Sequence, residues 1–148
     1  MNQTQAARIL EAMARMEPEY DTLAAEYQNM LSGAVLPVDF PEQALNLFRE
    51  NPDTAAQIDR YEENLSHMQS YGAADWLSPQ IVLSVMVLLS VHFHIRRDKN
   101  GKWTFEAGFQ PLKAEGLKPV CSVLAAVIGK AGEGLTEIAE AMGGQQNT

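Results

Sequence analysis

Residues 76–95 read WLSPQIVLSVMVLLSVHFHI, twenty positions without an Asp, Glu, Lys or Arg. A helix that is apolar nearly all round belongs either in the centre of a bundle or in lipid. The most apolar part, residues 81–89, makes only about 14 Å of helix, whereas a bilayer core is about 30 Å thick. We therefore predict a buried core helix over about residues 79–90 and no membrane insertion.

A second apolar segment, VCSVLAAVI at residues 120–128, is equally short and follows Pro119, a favourable first helical residue. Two central helices wrapped by amphipathic ones predict a mainly α fold, a compact bundle of five or six helices with one β-hairpin. With 148 residues, 46% of them hydrophobic, the chain suits one globular domain. We expect this domain over residues 1–142 and a frayed tail over 143–148.

The N-terminal segment carries a narrow apolar seam whose spacings alternate between four and three residues. Its members are Ile9, Met13, Met16, Tyr20, Leu23, Tyr27 and Met30. This spacing is typical of helices packed side by side in bundles or coiled coils. Pro18 interrupts the segment, because proline removes a backbone hydrogen bond and clashes with the preceding turn. Since the seam stays in phase across Pro18, we predict a kinked helix rather than two separate ones.

Two further helices are indicated before the apolar run. Pro41 can open a short helix that runs through Phe48. Asn51 and Pro52 then supply a capping residue and a first helical residue for the next helix. The apolar seam of that helix is Ile58, Tyr61, Leu65 and Met68, and Gly72 closes it.

Apolar and polar residues alternate over about 91–97 and again over about 102–109, which predicts a β-hairpin. A two-residue turn puts the two apolar sets on opposite faces of the hairpin, whereas a three-residue loop pairs Ile95 with Phe105. Because a one-residue slip moves every side chain to the other face, burial favours the longer loop. Gly101 is then expected to be left-handed, in a bulge.

The net charge of −8 is divided unevenly along the chain. Residues 1–75 hold 13 acidic and 4 basic side chains, a net of −9, and residues 76–148 hold 6 and 7, a net of +1. An acidic half repels phosphate backbones and offers no counterion release. This half is either a solvated helical surface or a face that attracts a basic protein.

His92 and His94 are the strongest candidates for a metal site, because alternate residues of a strand share one face. Such a site needs a third and a fourth ligand. His67 is the only other histidine, and Asp98 is the nearest acid on the same face if the strand extends that far. The predicted register makes His94 and Glu106 cross-strand neighbours instead, an ordinary polar pair. A metal-dependent enzyme centred on the two histidines is therefore the third functional hypothesis.

Cys121 is the single cysteine, so the chain has no internal disulfide. It lies in the predicted first turn of the second apolar helix, where the helix dipole favours thiolate, but its neighbours are apolar. We interpret it as a small buried hydrophobic residue rather than a nucleophile. No cofactor motif is present, and no cofactor is expected.

The hairpin carries the main basic cluster, and an aromatic residue lies within it. Its members are Arg96, Arg97, Lys99, Lys102 and Trp103. Cations beside an aromatic ring can track a nucleic-acid backbone and stack on a base. A nucleic-acid-associated regulator that uses this basic face is the second functional hypothesis.

The leading hypothesis is a non-enzymatic protein-binding module, such as an inhibitor, immunity or chaperone-type factor, that uses the acidic helical half. Its partner is either a basic protein or a second copy of the chain, which gives a homodimer. The predicted partner-binding residues are Ile9, Met13, Met16, Glu17, Glu19, Asp21 and Glu26. The lone cysteine and the lack of a signal-peptide pattern at the N-terminus predict a cytoplasmic location.

Overall fold

The computed structural model describes residues 3–31, 36–64, 79–105 and 115–144. They form a mainly α fold with one β-hairpin, as the sequence predicts. The elements are α1 (Gln3–Arg15), α2 (Tyr20–Tyr27), α3 (Phe40–Arg49), α4 (Pro52–Glu63), α5 (Pro79–His92), β1 (Ile95–Arg97), β2 (Trp103–Phe105), α6 (Leu117–Ile128) and α7 (Leu135–Gly144). Short 3₁₀ turns, Gln28–Met30 and Gly129–Gly132, follow α2 and α6.

Helix α5 is the centre of the fold, as its composition predicts. All ten positions from Ile81 to Ser90 are buried, including the serine hydroxyls, which donate to backbone carbonyls one turn earlier. Helix α1 packs against α5 and α3, and α6 packs against α7 and α3. No helix in the described ranges is long and apolar enough to cross a membrane.

The N-terminal seam belongs to two helices, so the prediction of one kinked helix is wrong. Helix α1 ends at Arg15, the chain turns through Pro18, and α2 begins at Tyr20. The turn is closed by backbone hydrogen bonds from Glu17 N to Ala14 O (3.1 Å) and from Tyr20 N to Glu17 O (3.0 Å). This break gives seven α-helices in the described residues where five or six were expected.

Helix α4 begins as the sequence predicts. Asn51 accepts a hydrogen bond from the backbone N–H of Asp53 at 2.9 Å, and Pro52 is the first helical residue. Thr54 is buried and donates to the carbonyl of Phe48, which fastens α4 to the end of α3. The helix ends at Glu63, and the predicted seam positions Leu65 and Met68 lie outside the described residues.

The predicted hairpin register is confirmed. Ile95 pairs with Phe105, and Arg97 pairs with Trp103. Asp98 N donates to Lys102 O at 2.8 Å across a three-residue loop, and Gly101 has a φ of +81°. Glycine is the residue that adopts this left-handed conformation without strain.

The first strand is shorter than predicted, because α5 continues through His92 and the strand begins only at Ile95. Phe93 N still donates to Leu89 O at 2.9 Å, in helical fashion. His94 then adopts a φ of +55°, which turns the chain out of the helix and into β1. The predicted second-strand residues 106–109 lie outside the described ranges.

Candidate functional site

Residues 16–19 join α1 to α2 and contact the end of α5; we call this segment the connector. His92 Nε2 lies 2.8 Å from Glu17 Oε2, and each of the two side chains is only 12% exposed. The two residues are 75 positions apart in the sequence, and the helix break at Pro18 turns Glu17 toward α5. Glu17 therefore has a partner within its own chain.

The basic hairpin binds the same connector. Arg96 Nη2 donates to both carboxylate oxygens of Glu19, at 3.0 and 3.1 Å. This contact is more exposed than the first, with about half of each side chain open to solvent. The acidic face and the basic face that the sequence suggested as alternative binding surfaces thus contact each other.

Of the three apolar residues predicted to bind a partner, only Met16 is exposed. Ile9 and Met13 are fully buried in the core of the domain, so they offer no surface to a partner. Met16 is different, because the end of α1 leaves it 73% exposed. On α2, Asp21 and Glu26 are exposed and have no ion-pair partner among the described residues.

The two histidines do not share a strand face, so the geometry assumed for the metal hypothesis is wrong. His92 lies in the last turn of α5, and His94 lies at the bend before β1. Within the described ranges, no group of three or more His, Cys, Asp or Glu side chains is arranged to hold a metal ion. His67 and Glu106 lie outside those ranges.

Cys121 is buried, which confirms its interpretation as a small hydrophobic residue. Burial raises the pKa of its thiol to about 12. The thiolate is the nucleophilic form of cysteine, so this environment suppresses the reactivity of Cys121.

The aromatic residue of the basic cluster is part of the core. Trp103 is 4% exposed, its indole N–H donates to Ala131 O at 2.6 Å, and its ring lies 5.5 Å from that of Tyr27. It cannot also stack on a nucleic-acid base. Arg97 is half-buried, and its Nε donates to the Gly101 carbonyl.

What remains of the basic surface is small. Lys99 and Lys102 are exposed on the turn of the hairpin. Beside them is a shallow groove of about 420 Å³, lined by His94, Arg96, Thr104 and Phe105. Because Arg96 is already bound to Glu19, the hairpin offers few free cations to a phosphate backbone.

An open groove of about 860 Å³ lies along α4, and we call it the α4 groove. It is lined by Met16, Pro52, Asp53, Ala56, Gln57, Arg60, Tyr61 and Asn64. The α4 members follow one another at helical spacing over three turns, so they form one continuous face. Thr54 and Ile58, which are fully buried, hold the opposite face of α4 on the core.

The chemistry of the α4 groove is mixed. Asp53 lies near one end and Arg60 near the other, both exposed and neither in an ion pair with any described residue. Between them lie the small Ala56 and the half-buried Gln57. Sequence reasoning missed this face, because the apolar seam through Ile58 describes only the inner side of α4.

The sequence matches no known protein family, and comparisons with curated proteins and with solved structures find no significant match. The described residues present a helix-length groove with an exposed methionine at its edge.

Proposed function

We propose that this chain is a non-enzymatic protein-binding module that receives a helical segment of its partner in the α4 groove. The observation that carries the proposal is Met16, 73% exposed at the edge of the groove. Methionine is flexible and polarizable, and it is favoured on surfaces that adapt to a partner. The surface belongs to the acidic half of the chain, but Met16 is the one residue retained from the predicted binding set.

The dimensions of the groove suit a helix. Twelve residues of α4 span about 18 Å at 1.5 Å per residue, the length of three to four helical turns. Ala56 near the middle of this face has a small side chain, so a second helix can approach to an interaxial distance of about 8–10 Å. Helix-in-groove recognition is a recurring mode of protein binding, with anchor residues repeated every three or four positions.

The charges of the groove define the partner further. A partner helix that runs along α4 needs a cation opposite Asp53 and an anion opposite Arg60. Since neither residue has an ion-pair partner among the described residues, both are available to a bound helix. Complementary charges of this kind fix register and orientation more than they raise affinity.

Site-specific photocrosslinking tests the proposal. Replacing Gln57, which lines the groove, with p-benzoylphenylalanine is expected to give a covalent adduct with a protein in the cell in which the chain is made. The matched control carries the same group at Asp59, which is exposed on α4 but does not line the groove. The adduct should also weaken when Met16→Glu is added.

Equal adducts from positions 57 and 59, or none from either, contradict a binding role for the groove. An adduct from position 57 that persists unchanged with Met16→Glu also contradicts the role given to Met16.

A further inference from the structure

We infer that the partner helix is α4 of a second copy of this chain, packed antiparallel across a two-fold axis. This inference rests on the proposed function of the α4 groove and names its occupant. The axis passes between Ala56 and Gln57, at the middle of the groove-lining face.

The residues of this face are complementary to themselves when two copies are placed antiparallel. A two-fold axis between positions 56 and 57 places each residue opposite the residue of the second copy that lies equally far along α4 on the other side of the axis. Asp53 then faces Arg60 of the second copy, and Pro52 faces Tyr61 of the second copy. Ala56 faces Gln57, so a small side chain meets a longer one. Each pairing occurs twice, because a two-fold interface uses the same patch on both chains.

Helix geometry allows both ion pairs to form together. Asp53 and Arg60 are seven residues apart, which is about 10.5 Å along the axis and within about 20° of the same direction. Both side chains therefore point to the same side of α4. Pro52 and Tyr61 lie just outside them, so that a proline ring meets an aromatic ring at each end of the contact.

The net charge also favours a second copy over a basic partner. The chain has a net charge of −8, yet the groove has one anion, Asp53, and one cation, Arg60, and is neutral. Two identical chains repel each other over most of their surface. A neutral face with its own complementary charges is the part of such a molecule on which two copies can meet.

Met16 gives the contact an apolar component. Each copy carries one exposed Met16 at the edge of the groove, and the symmetric packing covers both. Burial of apolar surface supplies affinity, while the Asp53–Arg60 pairs set the antiparallel register.

Charge reversal provides a sharp test by sedimentation velocity over a range of concentrations. The native chain is expected to dimerise. Asp53→Arg alone and Arg60→Asp alone each place like charges opposite each other twice, so each should raise the dissociation constant by about tenfold or more. An equimolar mixture of the two variants should recover association as a heterodimer, because every contact then joins opposite charges.

Two matched controls distinguish the effect of the charge pairs in this register from the effect of net charge on dimerisation. Asp59→Arg changes the net charge as Asp53→Arg does, and Lys102→Asp changes it as Arg60→Asp does, both at exposed positions outside the groove. Neither control should lose the dimer. Circular dichroism of every variant verifies that the helices are intact.

The inference is overturned if the native chain stays monomeric, if the reversals leave the dimer intact, or if the mixture fails to associate. The mass of the adduct from position 57 distinguishes this failure from failure of the proposed function. An adduct with a different protein supports the proposed function of the groove and contradicts a second copy as its occupant. The absence of any adduct contradicts both.

Discussion

The connector between α1 and α2 and the outer face of α4 both belong to the acidic half of the chain, but they use their charges differently. On the connector, Glu17 binds His92 and Glu19 binds Arg96. On α4, Asp53 and Arg60 have no ion-pair partner among the described residues. Charge in a sequence therefore does not identify a binding surface until the neighbours of each charge are known.

The structural positions of the two regions explain why the charges of the connector are paired and those of α4 are not. The connector lies beside the end of α5, where the bend at His94 also brings β1 and its arginines close. Helix α4 packs on the core through one face, with Ile58 inward, and its other face borders the open groove. Side chains on that face meet solvent or a partner.

The largest expected effect distinguishes two successive positions of the N-terminal seam, the buried Met13 and the exposed Met16. Met13→Glu should cost more than about 3 kcal/mol of unfolding free energy, because it places an unpaired carboxylate in the core. At protein concentrations low enough to keep the chain monomeric, Met16→Glu should change it by less than about 0.5 kcal/mol, as substitutions at exposed sites usually do. Denaturant unfolding measures both, and equal losses would show that Met16 also packs internally.

The connector contact should contribute measurably to stability. Glu17→Ala is expected to cost about 1.5–3 kcal/mol, the range for a hydrogen bond to a charged group, because both side chains of this contact are mostly buried. A double-mutant cycle with His92→Ala isolates the pair, and the two losses should be clearly non-additive. Strictly additive losses contradict a coupled contact between Glu17 and His92.

Tyr27 links α2 to α5 through a hydrogen bond to Ser90, and its burial should make the stability of the fold depend on pH. Ser90 Oγ donates to Met86 O, so it accepts from the Tyr27 hydroxyl, with an oxygen separation of 2.6 Å. Tyr27→Phe should cost about 1 kcal/mol of unfolding free energy at neutral pH.

Burial raises the pKa of Tyr27 above its ordinary value of 10.0. Above that pH the unfolded phenol ionises while the buried one stays protonated, so the folded state binds more protons and stability falls as pH rises. Tyr27→Phe removes this contribution, and its stability curve should approach that of the native chain at alkaline pH. A constant difference between the two curves contradicts the assignment.

The smallest effect should be that of Glu19→Gln. The Glu19–Arg96 pair is about half exposed, and such pairs contribute about 0.2–1 kcal/mol. The loss should vanish at high salt, whereas the loss from Glu17→Ala should persist, because a mostly buried pair is screened less. Asp21→Asn serves as the control, because Asp21 lies in the first turn of α2 without an ion-pair partner among the described residues. It measures the interaction of a carboxylate with the helix dipole alone, and the loss from Glu19→Gln at low salt should exceed it.

The sequence was sufficient to predict the structure where a local pattern and the need for burial indicate the same element. The most apolar part of the uncharged run was too short to cross a bilayer, which favoured a central helix, and α5 is buried at the centre of the fold. The hairpin register followed from the need to keep Ile95 and Phe105 on one face, and Gly101 supplied the left-handed residue of the turn.

The predictions failed where tertiary contacts decide between two permitted structures. An in-phase seam fits one kinked helix or two helices. The choice depends on the contact of Glu17 with His92 at the end of α5, which no local pattern in the sequence indicates. The alternation at Val91 and Phe93 resembles a strand, but packing extends α5 to His92, and no glycine marks its end.

The candidate site was the least predictable part of the molecule. No local pattern distinguishes Glu17, which is paired, from Asp53, which is not. The pairing of Glu17 depends on a histidine 75 residues away. The α4 groove likewise needs Met16 and α4, two parts of the chain that only the fold brings together.

Trp103 lies where three distant parts of the chain meet, which determines when the hairpin can reach its place. Its ring packs near Tyr27, and its indole N–H donates to the carbonyl of Ala131, 28 residues later. Closing long loops costs chain entropy before the contacts compensate for it. A ribosome also releases Ala131 well after Trp103. We therefore expect the hairpin to dock late in folding, after α2 and the turn that follows α6 have formed.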